Sequence, residues 1–508
     1  NGDEYSLAHY NLGYVYIKQN DYKEANLWFR KFINLESEDK VMLVDACNRI
    51  GDCYFQNRQF DQAKNAYEQA SQYGIKIQGT DYSLYQKGFV CGLQKDYNQK
   101  ITIMQSLIAE YPKSEWADDA LFEIGRAYVA IDNNADAITT FNRINKEYPK
   151  TNSIVRKSKL QIAMLQYNGG ETDKAVSTYK SIISEYPNTE EAETSLSTLE
   201  SILVETNRVE EYTGLTKSLG RGSSTQADSL MYKAAEKVYF RDELEEAINS
   251  FTKYINTYPE GKYNALAKYY MANCYYRQND KSTALSLYIS LIDNPKNPNL
   301  EETLVRTAAI SYDENKHEEA YKYFSQLYEL GSKDNKKAAS IGMMRCAYMI
   351  NNYQETIDAA NRIAEQYGTD AELMLEVVYK RMKSYINTDR RSDAAKDITT
   401  LAKDTRNEYG AEAKYLMAET YKINSQNDEA EKEIFDFIDK GTPHTYWLAK
   451  SFILLSDIYI EQENYFEAKQ YLLSLQDNYK EADEDIKKAI AERLEIIEKH
   501  ENETVSNN

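Results

Sequence analysis

Side chains that commonly do chemistry are few and scattered along this sequence. Its four histidines, His9, His317, His444 and His500, are far apart, and HEEAY at His317 lacks the second histidine of a zinc-protease helix. The stretch GRGSS at Gly220 has neither the lysine of a phosphate-binding loop nor the third glycine of a dinucleotide-binding turn. Carboxylates are abundant, but a chain with a formal charge of −20 carries them on solvated faces. We therefore predict no enzyme activity, no metal and no cofactor.

The five cysteines are an odd number and lack the CxxC spacing of many zinc and redox sites. A disulfide framework is therefore not expected. Three of them, Cys53, Cys274 and Cys346, each stand two residues after an anchor of the repeat described below, at a position where the repeat family that the sequence resembles prefers small residues. We predict that these three are small buried hydrophobes rather than reactive thiols.

The charge balance restricts the partners. There are 61 Lys and Arg against 81 Asp and Glu, an excess that opposes phosphate backbones and anionic lipid surfaces. We therefore expect no nucleic-acid partner. We also expect no membrane insertion, because no run approaches the roughly 18 to 20 apolar residues that span a bilayer. The sequence begins at Asn1 rather than Met, so we expect a processed or truncated product, and a signal peptide or lipid anchor could lie upstream.

The elements that must position any site come from a repeat. The stretch EYPKSEWADDALFEIGRAY from Glu110 returns in outline from Glu147 and Glu185. Aligning the chain on the small residue of a Leu-Gly-x-x-Tyr pattern gives thirteen anchors, spaced 35 to 38 residues apart. The anchors are Gly13, Gly51, Gly88, Gly125, Ala163, Glu200, Ala235, Ala272, Ala308, Met344, Met382, Ala418 and Ser456. Such a period indicates an array of similar structural units.

Each unit has the pattern of a helical hairpin. Alanine stands twelve residues after the anchor in ten of thirteen units, and a large apolar or aromatic residue follows four positions later in most. Small residues let two antiparallel helices approach closely, and the large side chains fill the space beside them. Few Pro and Gly residues are available for tight β-turns, with 7 and 19 in all. We therefore predict an all-α chain.

On these residues the sequence resembles the tetratricopeptide repeat family, most closely in NLGYVYIKQNDYKEANLWFRKF and IGDCYFQNRQFDQAKNAYEQA. The resemblance implies an α-solenoid of about thirteen helical hairpins in a right-handed superhelix. The recurring Tyr-Pro-x-Ser/Thr is similar to repeats of bacterial envelope proteins, such as the outer-membrane assembly lipoprotein and the Tol–Pal coordinator. It implies a periplasmic or outer-membrane-associated protein. The five unpaired cysteines leave the cytoplasm as an alternative.

The Tyr-Pro pairs are interpreted as signals that end a helix rather than as a binding or catalytic site. Proline disfavours a helical conformation in the residue before it, so each pair should end a second helix. Ser114, Thr151 and Thr189 follow two residues after a proline and are predicted to cap the next helix.

Unit six, around Glu200, departs from the pattern and is followed by LGRGSSTQADS, a flexible composition. We interpret that stretch as a hinge or loop. The predicted divisions are a six-repeat array at 1–218, the hinge at 219–229, a seven-repeat array at 230–479, a capping helix at 480–500 and a disordered tail at 501–508.

In the family, the residues three before and four after the anchor are among those that face the concave groove. In this chain both sets are rich in aromatic residues. We call eight of them the tyrosine track: Tyr232, Tyr239, Tyr269, Tyr276, Tyr312, Tyr348, Tyr379 and Tyr415. Tyrosine offers a rigid surface and a hydroxyl to an extended peptide. In a chain with 45 tyrosines, the same rings could instead fill the inner curve of the array.

The sequence thus predicts a non-enzymatic scaffold that holds a partner protein or extended peptide in an aromatic-lined groove, in the bacterial cell envelope. A structural scaffold that uses its edges and a glycan-binding module are the alternatives. The family's lysine and asparagine clamp for a C-terminal carboxylate is not found in this sequence, because Asn48 is followed by Asp52 at the paired position. The partner and the oligomeric state are left open.

Overall fold

The computed structural model describes residues 2–36, 38–150 and 152–506. Every regular element within those ranges is helical, and none of the residues in them forms a β-strand. The helices are α1 (Gly2–Lys18), α2 (Tyr22–Leu35), α3 (Lys40–Gln56), α4 (Phe60–Gln72), α5 (Thr80–Leu93), α6 (Tyr97–Glu110), α7 (Ala117–Ala130), α8 (Asn134–Glu147), α9 (Asn152–Asn168), α10 (Thr172–Glu185), α11 (Glu190–Glu205), α12 (Val209–Ser218), α13 (Ser224–Phe240), α14 (Leu244–Thr257), α15 (Asn264–Arg277), α16 (Lys281–Ile292), α17 (Leu300–Asp313), α18 (His317–Leu330), α19 (Lys333–Met349), α20 (Tyr353–Tyr367), α21 (Ala371–Asn387), α22 (Arg391–Leu401), α23 (Glu408–Ile423), α24 (Asn427–Lys440), α25 (Thr445–Glu461), α26 (Tyr465–Asn478) and α27 (Glu484–Ser506).

In the part of the chain that the structure describes, the helices pair in chain order into thirteen hairpins, from α1 with α2 to α25 with α26. The odd-numbered helices are called first helices and the even-numbered ones second helices. Each of the thirteen anchors lies on a first helix. This confirms the prediction of an all-α solenoid of hairpins. The chain divides into two compact units, unit 1 (Asn1–Ala234) and unit 2 (Ala235–Asn508).

The close crossing predicted at the anchors is present. A Cβ placed on Gly13 would lie 2.6 Å from the Phe29 ring, and one on Gly51 would lie 2.4 Å from the Tyr67 ring. Real Cβ atoms do not come so near, so these glycines let a large side chain of the second helix lie directly on the first. The alanines twelve residues after the anchor, such as Ala25 and Ala63, are fully buried. Tight packing of this kind is what holds neighbouring helices together.

The Tyr-Pro pairs end helices as predicted. Helices α6, α8, α10 and α14 each stop at the residue before the tyrosine, whose φ lies between −127° and −132°. Thr189 caps α11 by accepting a hydrogen bond from the Ala192 amide at 3.3 Å. The cap prediction is wrong for Ser114, which accepts from the Trp116 amide in a turn that precedes α7. Thr151 lies outside the described residues.

The stretch interpreted as a hinge is shorter in the structure. Only 219–223 are non-helical, since α13 begins at Ser224. Ser223 Oγ accepts a hydrogen bond from the Gln226 amide at 3.1 Å, so it starts a helix rather than extending a linker. Serine is common both at helix N-termini and in flexible linkers, so composition alone could not distinguish a helix start from a linker. The boundary between the units falls further along, within α13. That the stretch at 219–229 acts as a hinge remains a prediction.

The C-terminal end is covered by α27. Its Ile486, Ile490 and Ile497 are buried in one cluster with Leu472 and Leu475 of α26. Helix α27 lies within the region predicted as a capping helix at 480–500 and continues through Ser506, where the sequence predicted a disordered tail from residue 501. That α27 caps the array remains a prediction. Residues 507 and 508 lie outside the described residues.

Candidate interaction surface

The first helices carry the tyrosine track. Neighbouring first helices touch one another in both units, for example α5 with α7 and α23 with α25. Residues three before and four after the anchor therefore recur on one layer of the array. Tyrosines of the track in unit 2 are all half-buried, with part of each side chain accessible.

Hairpins eight and nine show how such a ring is held. The Arg306 guanidinium lies over the Tyr276 ring at 5.2 Å from its centroid, and Glu302 accepts a 3.0 Å hydrogen bond from Arg306 Nε. Tyr269, seven residues before Tyr276, meets the buried Tyr288 ring at 6.2 Å. Burial raises the pKa of Tyr269. Both rings thus pack against neighbouring side chains and remain partly exposed.

Tyr312 and Tyr348 form the middle of the track. Lys380 lies over the Tyr348 ring at 4.4 Å, and Arg345 makes a two-pronged ion pair with Glu376, at 2.9 and 2.6 Å. Burial raises the pKa of both tyrosines and lowers that of Lys380. Neither tyrosine hydroxyl makes a hydrogen bond within residues 2–36, 38–150 and 152–506. Lys380 and Arg345, which lie near these tyrosines, both pair with Glu376.

The last two tyrosines of the track are fixed by the protein itself. The Tyr379 hydroxyl donates to Glu412 at 2.7 Å, and its ring stacks on Tyr409 with centroids 4.0 Å apart. The Tyr415 hydroxyl donates to Glu419 at 2.7 Å. Burial and these carboxylates raise the pKa of both tyrosines. Such rings contribute to packing, as the alternative interpretation of the track expected.

The first two tyrosines differ from the rest. Tyr239 belongs to an aromatic cluster in unit 2, with its ring 4.8 Å from Tyr270 and 5.3 Å from the exposed Phe240. Tyr232 belongs to unit 1, and only 3% of its side chain is exposed. A ring buried to that degree has no free face for a partner, so we do not retain Tyr232 as an accessible groove residue.

Sequence reasoning missed the carboxylates six residues before the anchors. Asp45 accepts hydrogen bonds from Tyr10, at 2.6 Å, and from Tyr14. In unit 2, Glu412 accepts from Tyr379 and from Lys383 Nζ, the latter at 2.5 Å. In both cases the donors stand three before and one after the preceding anchor. An acidic residue at this register is the sequence signal that could have revealed the contact.

The cysteines are as predicted. All five are buried and unpaired, and burial raises the pKa of Cys53 and Cys346 to about 12 and that of Cys274 to about 11. Thiols with such values stay protonated near neutral pH and are poor nucleophiles. Among the described residues there is no group of three metal-binding side chains and no helix with the length and apolar character to cross a membrane.

Comparison with known proteins gives matches to repeat families and to solved structures. Models described as tetratricopeptide repeat match residues 6–39, 44–73, 82–114, 119–151, 158–189 and 266–297. These segments coincide with hairpins one to five and hairpin eight. No curated protein matches the chain.

Three solved structures illustrate the likeness. A tetratricopeptide repeat protein from Parabacteroides merdae is 15% identical, covers 59% of this chain and 98% of its own, and has a TM-score of 0.32. YrrB, described as a TPR protein with an unusual peptide-binding site, is 16% identical over 38% of this chain and 92% of its own, with a TM-score of 0.31. A structure of Naa15/Naa10 bound to HypK-THB is 12% identical over 97% and 80%, with a TM-score of 0.38.

All three TM-scores are below 0.5, so the assignment rests on the repeat models and on the hairpin geometry. The models match most hairpins of unit 1 and one hairpin of unit 2. The expected resemblance is confirmed, because tetratricopeptide repeat models match hairpins one to five and hairpin eight of this chain.

Proposed function

We propose that this chain is a protein-interaction scaffold that binds an extended partner segment on the first helices of unit 2, centred on Tyr276, Tyr312 and Tyr348. Tetratricopeptide folds are typically non-catalytic interaction scaffolds, and that coarser assignment follows from the repeats themselves. The observation that supports the finer proposal is the recurrence of half-buried tyrosines whose hydroxyls or rings are open, on consecutive first helices.

The chemistry of the three tyrosines suits an extended peptide. A ring packed on one side loses little conformational entropy when its other side is covered, and its hydroxyl can pair with a backbone group of the ligand. Arg306 and Lys380 already lie over two of the rings. Their charges are balanced by Glu302 and Glu376, so the surface favours a ligand that offers polar groups and apolar side chains in alternation.

The cellular setting is part of the proposal. The envelope assignment rests on the resemblance of the Tyr-Pro-x-Ser/Thr turns to repeats of bacterial envelope proteins. Fractionation of cells that express the protein from its native gene would test it. Recovery with the periplasm or the outer membrane is expected, whereas recovery with the cytoplasm would contradict it.

The binding proposal can be tested by quantitative capture of proteins from envelope extract. The variant Tyr312→Ala/Tyr348→Ala should lose captured proteins, because buried interface aromatics each contribute about 1 to 3 kcal/mol of binding free energy. A matched control exists on the second helices. Tyr328 and Tyr367 are also half-buried and also lie near lysines, at 5.9 and 5.7 Å.

The control Tyr328→Ala/Tyr367→Ala should capture the same proteins as the wild type. Helix content by circular dichroism shows whether each variant is folded. Equal capture by both variants would mean that the tyrosine track is packing and that binding lies elsewhere. A photoreactive residue at position 312 then provides a second measurement, since it should crosslink a captured protein and a photoreactive residue at position 328 should not.

A further inference from the structure

Four of the tyrosines form a regular row on unit 2. They stand four residues after the anchor in four consecutive hairpins, seven to ten, and each is the last residue but one of its first helix. All four are half-buried. We call them the tyrosine row: Tyr239, Tyr276, Tyr312 and Tyr348. Since there is one ring per hairpin, a ligand that lies along the row must match the distance between neighbouring first helices.

Side-chain contacts show how close the first helices of this region lie. The Tyr239 ring of α13 is 4.8 Å from the ring of Tyr270, which belongs to the next first helix, α15. The Lys380 ammonium of α21 is 4.4 Å from the centre of the Tyr348 ring of α19. Helices in such contact have axes about 8 to 10 Å apart. We therefore expect successive rings of the row to recur at about that distance.

Among extended conformations, the polyproline II helix matches this distance. It has three residues per turn and rises about 3.1 Å per residue, so every third side chain lies on the same side, about 9.3 Å further along. In a β-strand, side chains on the same side recur about every 6.6 to 6.8 Å and soon fall out of step with the row. An α-helix can place residues at a similar distance, but its backbone carbonyls are already bonded within the helix.

The hydroxyls of the row suit a ligand that offers hydrogen-bond acceptors. In the part of the chain that the structure describes, the hydroxyls of Tyr312 and Tyr348 have no hydrogen-bond partner. A proline-rich polyproline II segment has no internal hydrogen bonds and few N–H groups, so its carbonyls can accept from tyrosine hydroxyls. Proline-rich segments of this conformation dock in grooves that are lined by aromatic side chains.

The charges beside the row favour a neutral ligand. Cations there are already paired with carboxylates: Arg277 with Asp242, Arg306 with Glu302, and both Arg345 and Lys380 with Glu376. An acidic or a basic segment would have to compete with these pairs, whereas a neutral segment leaves them intact.

We propose that the tyrosine row binds a neutral proline-rich segment in the polyproline II conformation, with a proline at every third residue packed on a ring and carbonyls that accept from the hydroxyls. This inference rests on the proposed function, because it names the conformation and residue type of the extended segment that unit 2 binds. Four rings require about ten residues of ligand, from the first of these prolines to the fourth.

The test compares the binding of two fluorescent peptides to the full chain. The first consists of four Pro-Ala-Ala triplets. The second has one more alanine between the second and third triplets, which shifts its second half by about 3.1 Å and rotates it by about a third of a turn. Only two of its prolines can then face the row at once. Fluorescence anisotropy should show saturable binding of the first peptide and about tenfold weaker binding of the second, because half of the ring contacts are lost.

The variant Tyr312→Phe tests the hydroxyl without removing the ring. It should weaken binding of the first peptide about threefold to tenfold, because a hydrogen bond to a ligand carbonyl is lost. Tyr328→Phe is the matched control, since Tyr328 is a half-buried tyrosine of the second helix α18 and lies outside the row. It should leave binding unchanged, and equal effects of the two variants would overturn the proposal.

Equal binding of the two peptides, or no saturable binding of the first, would also overturn the proposal. Both of these measurements use the wild type, so they do not depend on whether a variant folds. The proposed function fails on a different observation, which is undiminished capture of proteins by Tyr312→Ala/Tyr348→Ala. If that variant loses captured proteins while neither peptide binds, the proposed function stands, and the ligand has a conformation other than polyproline II.

Discussion

Hairpin two follows the repeat pattern, whereas hairpin six departs from it at every key position. In hairpin two the Tyr67 ring lies on Gly51, Ala63 is fully buried, and the Tyr67 hydroxyl donates to Asp52 at 2.8 Å. In hairpin six the anchor is Glu200, the alanine is replaced by Tyr212, and the large residue four positions later is Thr216.

The large and small residues of hairpin six have exchanged places by one helical turn. Tyr212 and Thr216 are both buried. Burial and a hydrogen bond to Glu200 raise the pKa of Tyr212, and Glu200 also accepts from Gln226 Nε2 at 3.2 Å. A tyrosine and a carboxylate thus occupy the space that a glycine and a ring share in hairpin two.

The comparison shows that a hairpin requires complementary volumes rather than particular residues. It also shows that hairpin six has a shorter second helix and less packing than hairpin two. Helix α12 has 10 residues against 13 in α4, and it buries three side chains where α4 buries four. We therefore expect hairpin six to open more readily than hairpin two, since local stability follows the packing of each unit against its neighbours.

Hairpin three replaces the alanine with a charged residue, and it gives the largest expected effect. Lys100 Nζ is buried against Glu123 of hairpin four, and each side chain is less than 10% exposed. Glu123→Ala should cost about 3 kcal/mol of unfolding free energy, because it leaves a buried ammonium without its partner. Thermal unfolding by circular dichroism checks this.

The double variant Lys100→Met/Glu123→Leu is the control for that measurement. It removes both charges and keeps similar volumes, so most of the lost stability should return. If the double variant is as unstable as Glu123→Ala, packing rather than an unpaired charge explains the loss.

Gly51→Ala tests the close crossing in hairpin two. The new methyl carbon would lie 2.4 Å from a ring that is almost fully buried. The ring or the helix must move, which we expect to cost about 1 to 3 kcal/mol. Hydrogen exchange of the α3 and α4 amides measures the local loss directly. Unchanged protection would mean that the two helices are further apart than the structure shows.

Much of the fold could be predicted because the pattern of small and large residues is local and periodic. Gly13, Gly51 and Gly125 each predicted the ring that covers them, sixteen residues later. Hairpin six lacks this pattern, so the sequence revealed it only because the distance between the anchors of hairpins five and seven is about two repeats. The sequence alone could not show that Tyr312 and Tyr348 keep open hydroxyls whereas Tyr379 does not, because that difference depends on how Glu412 of the next hairpin is oriented.

Tyr212→Phe tests the hydrogen bond that replaces the usual crossing in hairpin six. Removal of the hydroxyl should destabilise the hairpin by about 1 kcal/mol. Limited proteolysis at 219–223 is the readout, because cleavage of a loop next to a weak hairpin follows the population of its open form. Faster cleavage is expected in the variant. Equal rates would show that Glu200 does not hold Tyr212 in solution.

Gly214→Ala has the smallest expected effect, and it has the opposite sign from the same substitution in hairpin two. Gly214 lies on the exposed side of α12, and a Cβ built on it meets no atom within 4 Å. Alanine in a helix interior is favoured over glycine by about 0.5 to 1 kcal/mol because it restricts the unfolded chain. The variant should therefore slow cleavage at 219–223 and raise amide protection in α12, while Gly51→Ala lowers protection in α3 and α4. Since both changes add one methyl group to a helical glycine, intrinsic helix propensity alone would stabilise both. Opposite signs isolate the ring that covers Gly51 as the cause. If Gly214→Ala also destabilises, α12 is packed against a neighbour on the side that the structure leaves open, and the contrast between the two hairpins is smaller than we infer.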